Sequence, residues 1–250
     1  MAEHWSQDDD AGSDHDGEQE SLYASTAPFC DSAVGLTRAD GVSFAMLSAS
    51  PNSRELVFTS NVKALHLDEL QFALGEGPCL ASFRTGQPVC IADTDHDDRW
   101  PSFCREAAEI GARAVFSFPV SIHSQAIGVL ELHRRWPGGL TVDEYDAALG
   151  CAAAVGAVAT AIYDRWTQQS DEDDDLDGSV LTALTEADPF SRSRVFVAAR
   201  MIATHRGMPV SEALARMRAY AFANDQRVTV VAERIVDHRI PMSDWEDDAP

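Results

Sequence analysis

The pattern of hydrophobic and polar positions changes character along the chain. Between residues 28 and 135, short apolar runs alternate with segments of helical spacing. Strands are predicted at Val42–Leu47, Glu55–Thr59, Pro88–Ile91, Ala114–Ile122 and Ala126–Leu132. Helices are predicted at Pro28–Thr37, Lys63–Phe72, Leu80–Thr85 and Ser102–Ile110. The first two and the last two strands flank short turns and form hairpins, so the pattern predicts an α+β domain with a central antiparallel sheet and flanking helices.

A long helix is predicted to follow this domain. Thr141 and Glu144 form a capping box, in which the carboxylate returns to the backbone N–H of the cap residue. Apolar residues then recur every three or four positions as far as Trp166: Val142, Tyr145, Leu149, Ala152, Val155, Ala159, Ile162 and Trp166. Small residues beside this seam allow close helix approach: Gly150, Ala153, Gly156 and Ala157. We predict a homodimer through this helix; the alternative is that it covers only its own sheet.

The last part of the chain has helical spacing throughout. Three short helices are predicted, from about Ser193 to His205, from near Val210, and around Val228–Val236. Gly207 ends the first helix, and Asn224-Asp225 ends the second and caps the third. Helices this short are marginal in water when isolated, so they are predicted to pack together or on a partner.

Charge is distributed unevenly over the 250 residues, whose formal net charge is −22. Acidic runs lie in Met1–Glu20, Asp171–Asp177 and Asp244–Asp248, and they predict solvated tails and a solvated linker. The segment Arg192–Arg239 has the opposite sign, with nine arginines against four acidic residues and a net charge of +5. This inversion favours a module that binds a polyanion, with arginines on a solvated helical surface as the alternative.

The sequence shows little sign of catalytic chemistry. No phosphate-binding glycine motif and no GxSxG motif is present, so an enzyme is not expected. Five cysteines without a CxxC pair fit reduced intracellular thiols. We expect a cytoplasmic protein without membrane attachment, because the first residues lack a secretory signal and no run of about 18 apolar residues occurs.

Two features have some potential for binding or redox chemistry. Cys79 follows Gly-Glu-Gly-Pro near a predicted helix start, where the helix dipole favours a thiolate; it is a candidate ligand-contacting or redox-sensing residue, with a packed apolar cysteine as the alternative. The acidic loop Asp93–Pro101 contains His96 and is interpreted as solvated rather than metal-binding. His123 and His133 lack partners at zinc-site spacing, so no metal is predicted and the cofactor stays open.

Three stretches of the first domain resemble the GAF domain family. They are LGEGPCLASFRTGQPVCIAD, the loop DRWP and FSFPVSIHSQAIGVLELHR. The resemblance covers roughly Phe29–Arg165 and implies a central antiparallel sheet with helices on its faces. It also implies a pocket for a small-molecule ligand on one side of the sheet.

The C-terminal stretch SEALARMRAYAFANDQRVTVVAERIV resembles the ANTAR domain, an RNA-binding module of transcription antiterminators. The resemblance covers about Arg192–Asp237 and implies an all-α three-helix bundle that binds RNA hairpins. Bases in a hairpin loop stack on aromatic rings, and arginines hold the phosphates. The residues predicted to contact RNA are Arg200, Arg216, Arg218, Tyr220, Arg227 and Arg234. Arg200 and Pro209 depart from the family pattern, which commonly has a small residue and a cap serine there.

These features predict a signal-responsive antitermination regulator. Its expected parts are a disordered acidic tail at 1–27, a sensory domain with a dimerisation helix at 28–166, an acidic linker with a short helix at 167–190, an RNA-binding bundle at 191–240 and an acidic tail at 241–250. In the inactive state the linker is predicted to lie on the arginine face as an RNA mimic. The alternative is a protein-interaction module whose basic bundle binds an acidic partner protein.

Overall fold

A five-stranded antiparallel sheet organises the first part of the chain in the computed structural model, which describes residues 22–47, 54–169, 193–224 and 226–245. Its strands follow the order β2-β1-β5-β4-β3. They are β1 Gly41–Leu47, β2 Arg54–Thr59, β3 Val89–Ile91, β4 Ala114–Ile122 and β5 Gln125–Arg134. Every neighbouring pair is antiparallel, so both predicted hairpins are confirmed.

Helices cover both faces of this sheet. One face carries α1 Leu22–Thr37 and α5 Val142–Gln169; the other carries α2 Val62–Leu74, α3 Pro78–Thr85 and α4 Pro101–Ile110. Side chains alternate between the two faces along each strand. In β1, Phe44 packs with the α1–α5 layer, whereas Ala45 packs with Cys79 of α3 on the opposite face. The predicted α+β architecture is therefore confirmed, and residues 22–169 are called the sheet domain below.

The first helix begins earlier than its sequence suggests. Residues 22–27, predicted to belong to the disordered tail, form the first turns of α1. A buried stripe explains the extension, because Leu22, Thr26, Cys30, Ala33 and Thr37 all face the core. The Thr26 hydroxyl also donates to the Leu22 carbonyl at 2.7 Å. The remainder of the predicted tail lies outside the described residues.

The capping box at the start of α5 is confirmed. The Thr141 N–H donates to Glu144 Oε2 at 2.9 Å, and the Glu144 N–H donates to Thr141 Oγ1 at 3.3 Å. Arg134 Nη2 lies 2.9 Å from the same Glu144 oxygen. These contacts lower the pKa of Glu144, with the backbone hydrogen bond from Thr141 as the main cause.

The predicted apolar seam of α5 is divided between two environments. Ala152, Val155 and Ala159 are buried in the core shared with α1 and the sheet, whereas Val142 and Leu149 are 76% and 37% exposed. Most of the seam therefore covers the helix's own sheet, and Val142 and Leu149 are seam residues that stay exposed. By length and composition the segment Val142–Arg165 is apolar enough to cross a membrane, a test that core helices also pass.

Three further helices follow residue 192: α6 Ser193–Arg206, α7 Val210–Ala223 and α8 Val228–Val236, succeeded by a 3₁₀ turn at Met242–Trp245. We call α6, α7 and α8 the C-terminal helices. They share one hydrophobic cluster, whose buried members include Val195, Ile202, Leu214, Met217, Val231 and Ile235. Asn224 is the C-cap of α7, as predicted, but the N-cap of α8 is Arg227 rather than the expected Asn224-Asp225. Residues 167–169, predicted as linker, are the end of α5, and residues 242–245, predicted as acidic tail, form the 3₁₀ turn with Trp245 buried. From residue 170 onward the predicted linker lies outside the described residues.

Candidate functional site

Charged side chains are enclosed on the face of the sheet beneath α2 and α3. Arg54 begins β2 and pairs through Nη2 with Asp68 of α2; both side chains are buried. Burial alone would favour a neutral guanidinium, but Asp68 holds the pKa of Arg54 above its ordinary value. A buried charge is tolerated only when paired, so this contact fixes β2 to α2.

A second carboxylate, Glu131 of β5, lies in the same interior. Its oxygens accept hydrogen bonds from Gln71 Nε2 at 2.7 and 2.9 Å and from the Ser117 hydroxyl at 2.8 Å. Burial raises the pKa of Glu131, while the hydrogen bond from Gln71 and the charge of Arg54 oppose that rise. We call Arg54, Asp68, Gln71, Ser117 and Glu131 the interior polar cluster.

Cys79 adjoins this cluster through its backbone. Its N–H donates to Gln71 Oε1 at 2.8 Å. The residue is 1% exposed and packs with Ala45, Leu56 and Val129. Reactive cysteines are usually accessible to solvent, so this burial supports the packing role over the redox-sensing role.

The interior polar cluster was not predicted from the sequence. Glu131 interrupts the apolar run Ile127–Leu132 and was interpreted only as part of a strand. Arg54 lies one residue before the predicted start of β2. The usable signal was a single charged residue within a continuous apolar strand, because such a residue has to be paired when it is buried.

Two arginines pair with aspartates of the acidic loop. Arg113 Nη2 lies 3.2 Å from Asp93 Oδ1 and 2.5 Å from Asp95 Oδ2, and Arg99 pairs with Asp97 at 2.5 Å. Among the described residues, no group of three or more potential metal ligands from His, Cys, Asp or Glu is found. His133 is buried on β5, and that burial lowers its pKa to about 4.

Three predicted RNA-contacting arginines lie at the surface of the C-terminal helices. Arg200 is exposed on α6. Arg216 of α7 pairs with Glu212 at 3.2 Å, and Arg234 Nη1 of α8 donates to Gln226 Oε1 at 2.9 Å. The guanidinium groups of Arg216 and Arg234 are thus already oriented by neighbouring polar side chains.

The two aromatic residues of α7 differ in exposure. The Tyr220 ring is half-buried, and its centroid lies 5.0 Å from that of Trp245. Phe222, not included in the predicted RNA-contacting set, is 67% exposed. Of the two, only Tyr220 packs against the hydrophobic cluster of the C-terminal helices.

The other two predicted RNA-contacting arginines face the sheet domain. The Arg218 guanidinium lies 5.1 Å from the centroid of the Phe72 ring on α2. Arg227 Nη1 lies 3.5 Å from Glu69 Oε1, also on α2. Beside these contacts is a cleft of about 540 Å³ between the sheet domain and the C-terminal helices. Its walls come from α2, α4, the end of α7 and the start of α8.

Comparison with known proteins agrees with this architecture. The sequence model of the GAF domain matches residues 29–162, which is more than half of the chain. The chain therefore belongs to the GAF domain family, and the sheet domain is its GAF domain. The match ends before the C-terminal helices, and no curated protein matches the chain.

The chain is similar to solved structures at low sequence identity. GAF3 from Slr1393 of Synechocystis, solved in a photoproduct state, is 16% identical, with 60% of this chain and 100% of that chain covered and a TM-score of 0.50. The GAF domain of an Acinetobacter phosphoenolpyruvate-protein phosphotransferase is 13% identical, with 59% and 87% covered and a TM-score of 0.46. A GAF domain/HD domain protein from Geobacter sulfurreducens is 13% identical, with 61% and 97% covered and a TM-score of 0.44.

Proposed function

We propose that the chain is a cytoplasmic, non-enzymatic regulator that binds nascent-RNA hairpins and prevents transcription termination in response to a signal. A GAF domain indicates a sensory and regulatory role. The observation that carries the proposal further is the position of the arginine-rich C-terminal helices, which pack directly against that domain through Arg218 and Arg227. The sequence of these helices resembles the ANTAR domain. A signal received by the GAF domain could therefore reach an RNA-binding module that is in direct contact with it.

The proposed signal is a small molecule that enters the GAF domain on the side of the interior polar cluster. Within the described residues, Nε and Nη1 of Arg54 are buried without a hydrogen-bond partner, and so is the Ser82 hydroxyl. Buried donors of this kind are costly unless a partner satisfies them. A ligand with carboxylate or carbonyl oxygens would provide such partners.

RNA binding is expected to depend on the surface arginines. Arg216→Ala and Arg234→Ala should each weaken binding of a selected hairpin by about tenfold, because each removes a phosphate or base contact. Arg38→Ala is the matched control, since Arg38 is an exposed arginine of the GAF domain. The hairpin is obtained by selecting bound RNA from a transcript pool, and equilibrium titration measures the affinities. Equal affinities for all four proteins contradict the assignment.

The competing function is recognition of an acidic partner protein by the same arginines. One observation favours it: Arg227 already pairs with a carboxylate of a protein surface, Glu69. Enrichment of hairpins that share a loop sequence supports the antiterminator. No enrichment above a charge-matched control protein supports the interaction module.

We also propose a homodimer, now through the outward surface of α5 and the adjoining part of α1. Leu149 of α5 and Leu36 of α1 are large apolar side chains exposed on neighbouring helices. The outward surface of α5 also carries small exposed residues that project little from the helix: Gly150, Ala153 and Ala157. Helices with small surface residues approach one another closely.

Light scattering at micromolar concentration is expected to give twice the chain mass of 27.2 kDa. Leu149→Glu should shift the population to monomer, because it places a charge at the centre of the apolar surface. Val62→Glu is the control, since Val62 is exposed on α2, away from α1 and α5. A monomeric wild-type protein would contradict the dimer.

A further inference from the structure

We propose that helix α2 is an internal lock, in which the GAF domain and RNA compete for the same surface of the C-terminal helices. The inference rests on the proposed RNA-binding function and adds its regulation. Arg218 and Arg227, two of the predicted RNA contacts, are both engaged by side chains of α2. RNA phosphates would therefore have to compete with α2 for these two guanidinium groups.

Phe72 provides the main apolar contact of the lock. It belongs to the sequence of the GAF domain, yet it is 2% exposed and is part of the hydrophobic cluster of the C-terminal helices. Its ring also lies under the Arg218 guanidinium, an arrangement that attracts a cation to an aromatic face. Separation of the C-terminal helices from the GAF domain would expose this ring to water. Burial of the ring therefore favours the docked state, in which the C-terminal helices contact α2.

Arg218 is also close to the C-terminal end of α2. A β-carbon at Gly75, the C-cap residue of that helix, would lie 3.2 Å from Arg218 Nη1. The last carbonyl groups of a helix carry partial negative charge, which favours a nearby guanidinium. Glu69, about one turn before Phe72 on α2, attracts Arg227. In the docked state, the guanidinium groups of Arg218 and Arg227 thus interact with α2 instead of with RNA phosphates.

The same helix reaches the sensory interior. On α2, Asp68 pairs with Arg54 and Gln71 donates to Glu131. The next residue after each of them, Glu69 and Phe72, contacts the C-terminal helices. A ligand that rearranges the interior polar cluster would therefore displace or rotate α2. That movement would change the contacts of Glu69 and Phe72 with the C-terminal helices. The ligand activates RNA binding to the extent that it binds the undocked state better than the docked state.

Two variants test the lock from different contacts. Glu69→Arg places a positive charge beside Arg227, and Phe72→Ala removes the ring from the interface. Asp98→Arg is the matched control, because it makes the same change of charge at an exposed residue that does not line the cleft. Amide hydrogen exchange reports docking, and titration with a selected hairpin reports RNA affinity.

Both variants are expected to raise exchange about tenfold in the amides of α7 and α8 that face the cleft, and to tighten RNA binding by about threefold to tenfold. Asp98→Arg should leave both quantities unchanged. Adding Arg227→Glu to Glu69→Arg should restore the protection from exchange, because the ion pair is rebuilt with reversed charges.

The outcomes separate the lock from the function on which it rests. Unchanged exchange in Glu69→Arg and Phe72→Ala overturns the lock. Raised exchange with unchanged RNA affinity also overturns it, because docking then does not compete with RNA. Raised exchange without hairpin binding by any of the proteins, wild type included, contradicts the proposed RNA function and leaves α2 as a docking helix only.

Discussion

Arg54→Met is expected to destabilise the GAF domain by about 3–5 kcal/mol, the largest effect anticipated for a single substitution. The change leaves the Asp68 carboxylate buried opposite an apolar side chain. It also removes the positive charge that opposes the raised pKa of Glu131. A loss of this size is a large fraction of the stability of an ordinary domain, about 5–15 kcal/mol.

Chemical denaturation followed by circular dichroism measures this loss, and two controls define its origin. The double variant Arg54→Met with Asp68→Leu should recover most of the stability, because a buried pair can often be replaced by apolar residues at little cost. Arg99→Met breaks the half-exposed pair with Asp97 and should cost no more than about 1 kcal/mol. A similar cost for Arg54→Met and Arg99→Met would show that the interior pair is not needed for folding.

Gly156→Ala and Gly150→Ala are expected to change stability in opposite directions, although both glycines lie in α5. A β-carbon at Gly156 would meet the backbone oxygen of Ser121 at 2.6 Å, at the irregular end of β4. Helix and strand would have to separate, at a cost of about 1–3 kcal/mol. At Gly150 a β-carbon meets nothing within 4 Å, so alanine should stabilise the helix by about 0.5–1 kcal/mol.

Thermal unfolding of the two variants beside the wild type measures this difference directly. The wild-type melting temperature should lie between those of the two variants. Stabilisation by both substitutions would mean that α5 does not approach β4 as closely as the structure indicates.

The elements of the GAF domain could be predicted because local pattern and burial agree in them. The hairpins β1–β2 and β4–β5 each combine apolar strands with a short turn, and the capping box marked the start of α5. The first turns of α1 were missed, since the acidic stretch before Leu22 suggested a longer tail. The role of the α5 seam could not be decided from the sequence, because one apolar stripe does not reveal whether a sheet or another chain covers it.

The candidate site could be predicted only where chemistry is local in sequence. The positive charge of the C-terminal segment is visible in the sequence, and so are the arginine positions on α7 and α8. The interior polar cluster joins Arg54, Asp68 and Glu131, residues separated by up to 77 positions, and only the sheet brings them together. The contacts of Arg218 and Arg227 with α2 likewise depend on how two parts of the chain pack, which no local pattern encodes.

The most direct test of the account is a salt titration of hairpin RNA binding by the full chain. Phosphate neutralisation by arginine releases counterions, so the logarithm of the affinity should fall linearly with the logarithm of the salt concentration. The account predicts that this slope becomes shallower by about one unit when Arg216 or Arg234 is replaced by alanine. An affinity that does not change with salt, or no measurable binding of hairpin RNA, would contradict it.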